Sequence, residues 1–389
     1  MTEYGGVWAE LIGQEEKISP LIRASHDPEY MTHAWLITGP PGSGRSNVAR
    51  AFAAALLTED HGDTLSHEAR RILSGTHESM TVMRTQKSMI SIEEVRALIA
   101  TATTAPVNAP WRVMIIEDAD RMQERTSNVL LKSIEEPPAA TVWILCAPSP
   151  QDVVTTIRSR CRVISLRVPP VEAVADLLVR RDNVDLQRAR WAASVAQSHI
   201  GRARHLANDD EAIRRYSWIL SLPGRFTSVG EAVIAAGEVV DAATQYAEDY
   251  TQQRDAQERQ ELLETLGVQP GKSIPPALRS QVKNLEEEQK RRAKRAVSDQ
   301  LDSILLELLS FYRDVLAVQC GAKQDVVNRG AEDVIHSRAE ESSPADTLHR
   351  IHALEQGRNR LGTNMSKLLI VEAVFIVLWR PKLLGRLGV

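Results

Sequence analysis

Residues 34–46 read Ala34-Trp35-Leu36-Ile37-Thr38-Gly39-Pro40-Pro41-Gly42-Ser43-Gly44-Arg45-Ser46. An apolar, strand-like run feeds a glycine-rich loop, and a helix-like segment, Asn47 to Leu57, follows it. Gly39 to Ser46 fits the phosphate-cradling pattern G-x-x-x-x-G-K-[ST] everywhere except at Arg45, where lysine is expected. Glycines in such a loop let backbone N–H groups converge on an anion, and the helix N-terminus adds positive potential. Arg45 keeps the charge but changes the shape, because a planar guanidinium is not a compact ammonium on a flexible stem. The stretch predicts a nucleotide-binding scaffold with impaired turnover of its own. Passive ATP or ADP binding, and a loop kept only as a turn, are both left open.

Around this stretch, the first ~165 residues alternate strand-like and helix-like segments, as in a parallel α/β sheet. The expected strands are His33–Thr38, Met80–Arg84, Arg112–Glu117, Thr141–Cys146 and Arg162–Leu166. The expected helices between them are Asn47–Leu57, Leu65–Ser74, Ile92–Thr101, Glu124–Glu135 and Val153–Ile157. Pro137-Pro138 ends one helix, since proline lacks an N–H and pushes its predecessor out of the helical region.

Beyond Val168-Pro169-Pro170 the pattern is helical throughout. At 389 residues, two or three domains are expected. The boundaries are 1–168 for the α/β module, 169–225 for a small helical domain and 226–389 for a helical C-terminal domain. A charged loop-helix insert is expected near 267–300: Gly267 to Pro276 reads as a loop, and Glu286 to Arg295 as a solvated helix with acids preceding bases by a turn. Leu301, Ile304, Leu305, Leu308, Leu309, Tyr312 and Val315 recur at helical spacing, terminal helices lie around Ala345–Leu361 and Lys367–Leu378, and Ala339–Pro344 reads as a solvated loop.

Composition excludes several classes. A net charge of −4 argues against a broad nucleic-acid-coating surface. Cys146, Cys161 and Cys320 are too few and scattered for a disulfide framework, and they fit a reducing cytoplasm. The N-terminus carries no basic-then-apolar signal segment, and the apolar run Leu368 to Trp379 is too short to span a bilayer, so no membrane partner is expected.

Two further signals bear on chemistry. Val113-Met114-Ile115-Ile116-Glu117-Asp118 is an apolar strand ending in two acids, as used to place magnesium-coordinating and water-activating carboxylates beside phosphates. Here Glu precedes Asp, the reverse of the usual order. Exchanging them moves each carboxylate on the order of 1 Å, a misplacement that can cost ~100-fold in rate. Ser159-Arg160-Cys161 precedes the last strand, where an arginine at a module's edge can stabilise phosphoryl-transfer charge in a neighbour's site. Arg158 competes for that role, and a surface salt bridge is the plain alternative.

Leu11-Ile12-Gly13-Gln14-Glu15, Leu130-Leu131-Lys132-Ser133-Ile134-Glu135-Glu136-Pro137-Pro138 and Ser159-Arg160-Cys161 together resemble the bacterial clamp-loader subunits of DNA polymerase III. The resemblance spans about Val7 to Leu166, with a looser likeness of the helical remainder to actinobacterial members. It implies an AAA+ module with a parallel five-stranded sheet, a helical lid and an all-α collar domain for pentamer assembly. Within the family the residues resemble the delta-prime type rather than the gamma/tau motor, which carries the lysine and an Asp-Glu pair. That likeness implies gamma/tau and delta subunits as partners, with the beta sliding clamp and primer-template DNA reached through the complex. It implies Arg160 acting in trans, Arg204 as the lid arginine, and a non-sensing strand end at Ala147-Pro148. An autonomous AAA+ ATPase acting on DNA is the alternative.

Family modules carry four zinc-binding cysteines after the first helix. The matching positions here are Thr58, Asp63, Ser66 and Ala69, and tight structural zinc wants Cys or His. His61 and His67 nearby read as surface residues. No zinc is expected, and packing alone is expected to hold the segment.

Overall fold

The computed structural model of the chain describes residues 5–85, 89–107, 109–138, 140–265, 275, 278–322 and 326–381. It divides into two compact units, one through Asp210 and one from Glu211 onward. The first unit holds α1 (Glu15–His26), β1 (Ala34–Thr38), α2 (Arg45–Leu57), α3 (His67–Ser74), β2 (Met80–Met83), α4 (Ile92–Ala102), β3 (Arg112–Ile116), α5 (Glu124–Glu135), β4 (Thr141–Ala147), α6 (Thr155–Arg158) and β5 (Arg162–Ser165). Helices α7 (Val171–Asp182), α8 (Leu186–Val195) and α9 (Ile200–Asn208) complete it.

The five strands form one parallel sheet in the order β2-β3-β4-β1-β5. β1 and β4 are buried along their whole length. This is why their residues run apolar without alternation: helices cover both faces. Successive residues still point to opposite faces. Trp35, Ile37, Ile115 and Ile144 meet Leu21 of α1, Phe52 of α2 and Ile72 of α3. Leu36, Met114, Trp143 and Leu145 meet Leu98 of α4, Leu130 of α5 and Ile157 of α6. Trp35 packs edge-on to Phe52 at 5.2 Å and donates its indole N–H to the Thr32 carbonyl at 2.9 Å.

The expected strands are all present. α2 begins two residues earlier than Asn47, at Arg45, because Gly44 takes a left-handed conformation (φ +84°) and turns the chain directly into the helix.

The segment after α2 corrects one expectation. Hydrogen bonds, not packing alone, hold it. Thr58 Oγ1 donates to the Ala54 carbonyl and accepts the Gly62 N–H, both at 2.9 Å. Asp60 accepts the N–H groups of Gly62 and Thr64, each at 3.1 Å. Val7 N–H reaches the Gly62 carbonyl at 2.9 Å, and Ser66 caps α3 through the Ala69 N–H.

The second unit contains α10 (Asp210–Arg225), α11 (Val229–Thr265), α12 (Arg279–Gln319), α13 (Glu332–Glu341), α14 (Pro344–Leu361) and α15 (Lys367–Trp379). The apolar repeat from Leu301 to Val315 is buried where α12 packs on α11 and α14, and α15 packs on α11 and α14 with Val371, Val374 and Phe375 buried. The loop expected over Ala339–Pro344 is corrected to two residues, Ser342 and Ser343. α13 runs through Glu341, and Ser343 forms a capping box with Asp346 at the start of α14. The expected loop Gly267 to Pro276 lies outside the described residues except Pro275. Among the described residues, no helix is long and apolar enough to cross a membrane.

Candidate nucleotide site

The glycine loop leaves the end of β1, between β4 and β5, and enters α2. Its first amide, Gly39 N–H, bonds the carbonyls of Ala147 and Pro148 at 3.3 and 3.2 Å, and Ser43 N–H bonds the Pro40 carbonyl at 3.1 Å. Gln14, 2% exposed, staples the loop to the strand beyond β5. Its side-chain amide donates to the carbonyls of Ser43 and Arg167, and its oxygen accepts the Arg167 N–H at 3.1 Å. Pro40 and Pro41 lie exposed at the loop's crest, and Ser43 is buried with its hydroxyl unpartnered.

Arg45 folds back and donates to the Gly39 carbonyl at the other end of its own loop. Ser46 stands beside it in the first turn of α2. Gly42 (φ +89°) faces His199, the N-cap of α9; a Cβ there would lie 3.1 Å from His199 Cα. Only glycine allows so close an approach in that backbone conformation. Burial holds the His199 imidazole below its usual pKa, and the positive charges of Arg202 and Arg45 push the same way.

Glu117 and Asp118 follow β3. Glu117 N–H continues the sheet by bonding the Met83 carbonyl at 3.0 Å. Its side chain is 8% exposed and meets Arg50 Nη2 of α2 at 2.9 Å, with Arg84 farther off at 3.9 Å. Asp118 has one buried oxygen without a partner, the other being 4.0 Å from Arg121 Nε. Asp120, beyond them, has its carboxyl pushed up by burial, with the charge of Asp118 adding to the effect. Cys146 on β4 is wholly buried behind the loop, and burial raises its thiol to about 12.

The loop and the two acids therefore converge, whereas Arg204 and Arg160 lie elsewhere. Arg204 Nε pairs with Asp182 of α7 at 2.9 Å, and Asp182 also holds Arg181. Arg160 is exposed: its Nε lies 2.5 Å from Glu135 of α5, and its Nη1 donates to the Thr156 carbonyl at 2.9 Å. Arg158 is half-buried, tied to the Pro150 carbonyl at 3.1 Å.

The fold implies a magnesium nucleotide, and this donor set does not fit one. Arg45 is spent on its own loop, Glu117 is neutralised by Arg50, and His199 sits on the loop backbone. Arg50, Asp120 and His199 escaped sequence reading. Arg50 carried one signal, its place one turn after Ser46 on the same helix face. His199 carried none.

The comparisons with known proteins bear on this geometry. Residues 13–170 match the family described as DNA polymerase III, delta subunit. The DNA polymerase III subunit delta' of Bacillus subtilis is 26% identical over 218 residues, 55% of this chain and 66% of that protein. The subunit delta' of Pseudomonas aeruginosa is 30% identical over 180 residues, 45% of this chain and 51% of that protein. Over this region the chain is similar to clamp-loader subunits of DNA polymerase III. Gamma/tau relatives match the chain too. The DNA polymerase III subunit gamma/tau of Mycobacterium tuberculosis (strain H37Rv) is 31% identical over 179 residues, 44% of this chain and 31% of that protein. The matches thus span less than two thirds of each of these relatives. The architecture of the chain is an α/β module with a five-stranded parallel sheet followed by a helical region.

Proposed function

We propose that the chain is a non-motor subunit of a DNA polymerase III clamp loader, of the delta-prime type. In this reading residues 1–168 are the AAA+ module, 169–225 the lid and 226–389 the collar. The subunit assembles with gamma/tau and delta subunits and helps load the beta sliding clamp onto primed DNA. Its contribution to hydrolysis is positional: Arg160 reaches into the ATP site of an adjacent subunit and stabilises charge on the transferring phosphoryl group.

The observation that carries this reading is the contrast between the chain's arginines. Arg45 and Arg50 are consumed inside its own loop region, and Arg158 is held by a carbonyl. Arg160 stands exposed at the module's edge, in a surface pair with Glu135. The 31% identity to gamma/tau subunits keeps one alternative, a motor with its own ATPase.

The test is ATP hydrolysis by a complex reconstituted with Arg160→Ala. Assembly is expected to survive and the rate to fall by ~10³-fold. An unchanged rate removes Arg160 from the mechanism. ATP turnover by the isolated chain that dies with Glu117→Ala establishes the motor instead.

A further inference from the structure

We infer that Glu135 is the positioning residue for Arg160, an inference that rests on the role proposed for that arginine. Glu135 is the last residue of α5, and Arg160 follows the single turn of α6. Glu135 Oε1 lies 2.5 Å from Arg160 Nε. On the other side of the guanidinium, Nη1 donates to the Thr156 carbonyl at 2.9 Å and approaches Ser159 Oγ at 3.4 Å. Nη2 has no partner among the described residues, and the side chain is 41% exposed. Two corners of the planar group are therefore held by its own module. The third, Nη2, has no hydrogen-bond partner among the described residues and is available to an incoming oxyanion.

Glu135 is poorly placed to serve its helix. The C-terminal end of a helix carries partial negative charge, which disfavours a carboxylate there. Its position is firmly set: Leu130 and Ile134 anchor α5 in the core, and Pro137-Pro138 ends the helix just beyond. A carboxylate at an unfavourable helix end, on a rigid backbone, directed at the one exposed arginine of the segment, fits an orienting role. Arginine has many rotamers to lose, so pre-ordering the fork removes an entropy cost from the moment of reaction. Because the ion pair is made at Nε, Glu135 can keep it while Nη2 engages phosphate.

The experiment compares reconstituted complexes carrying Glu135→Ala, Glu135→Gln, Arg160→Ala and the Glu135→Ala/Arg160→Ala pair. Glu135→Ala is expected to lower kcat for ATP by about 10- to 100-fold with KM unchanged, the usual cost of losing a group that orients a functional side chain. Glu135→Gln keeps the size of the Nε partner without its charge and is expected to recover only part of the rate. The double variant should be no slower than Arg160→Ala alone. A wild-type rate with Glu135→Ala overturns the inference, as does a faster rate, which makes Glu135 a brake. A fully additive loss in the double variant overturns it as well. If Arg160→Ala is itself silent, the proposed role of the arginine fails. If Arg160→Ala is slow while Glu135→Ala is not, only the role of Glu135 fails.

Discussion

Arg50 Nη2 lies 2.9 Å from Glu117 Oε1, joining α2 to the end of β3 across 67 positions of sequence. The carboxylate is 8% exposed and the guanidinium 31%. A carboxylate so placed at the end of a central strand is where a magnesium ion would be sought, and a guanidinium stands there instead. The pair gives a stability role to a residue that the sequence motif assigns to catalysis.

Arg50→Ala is expected to destabilise the first unit by about 1–3 kcal/mol, because it strands a mostly buried carboxylate. Adding Glu117→Gln should return part of the loss, since the amide has no charge to leave unpaired. Urea midpoints at constant slope check both outcomes.

Restoring the motif lysine should not restore turnover. Arg45→Lys removes the bond to the Gly39 carbonyl but leaves Glu117 bound to Arg50 and His199 against Gly42. The isolated Arg45→Lys chain is expected to show no ATP hydrolysis above background. Brisk turnover would mean that Arg45 alone silences the site.

His199 predicts a pH dependence. Burial holds its native pKa below the ordinary imidazole value of about 6.5. The unfolded chain therefore takes up the proton first. Its contribution to stability is complete above about 6.5, falls as pH drops below that value, and levels off below the native pKa. His199→Asn keeps an N-cap acceptor for the Arg202 N–H while removing the titration. Urea midpoints measured between about pH 7.5 and 5 should fall less steeply for this variant than for the parent chain.

Arg292 links the two long helices of the second unit, bonding Asp255 at 3.1 Å and Glu258 at 2.9 Å. Arg259 and Glu286 add a bridge at 3.2 Å, while Arg291 and Arg295 pair along their own helix. Among the described residues of this stretch few apolar side chains are buried, Val282 being one. Arg292→Ala should loosen the pairing by about 1–2 kcal/mol. Hydrogen exchange would read this as roughly tenfold faster opening near residues 252–262 and 282–298, with Leu301 to Val315 unaffected.

The basic run from Lys290 to Arg295 shows why composition alone misleads. By sequence it offers five cations to any polyanion. In the fold three of them, Arg291, Arg292 and Arg295, have acidic partners within the chain. The segment after α2 is the converse case. Thr58 and Ser66 were visible as non-ligands, yet their hydrogen bonds to Gly62 and Ala69, and that of Asp60 to Thr64, depend on a turn that no pattern specified.

The sequence by itself determined the α/β alternation, the glycine loop with its arginine, the strand ending in two acids and the apolar face of α12. Each is written in neighbouring residues, through strand period, helix period and the conformational freedom of glycine. Only the tertiary structure decided how these residues are used: Arg50 on Glu117, His199 on Gly42, Arg204 on Asp182 and Arg160 on Glu135. Those pairings join elements far apart in the chain. Which charge meets which is settled by how helices pack on the sheet, information that no local spacing carries.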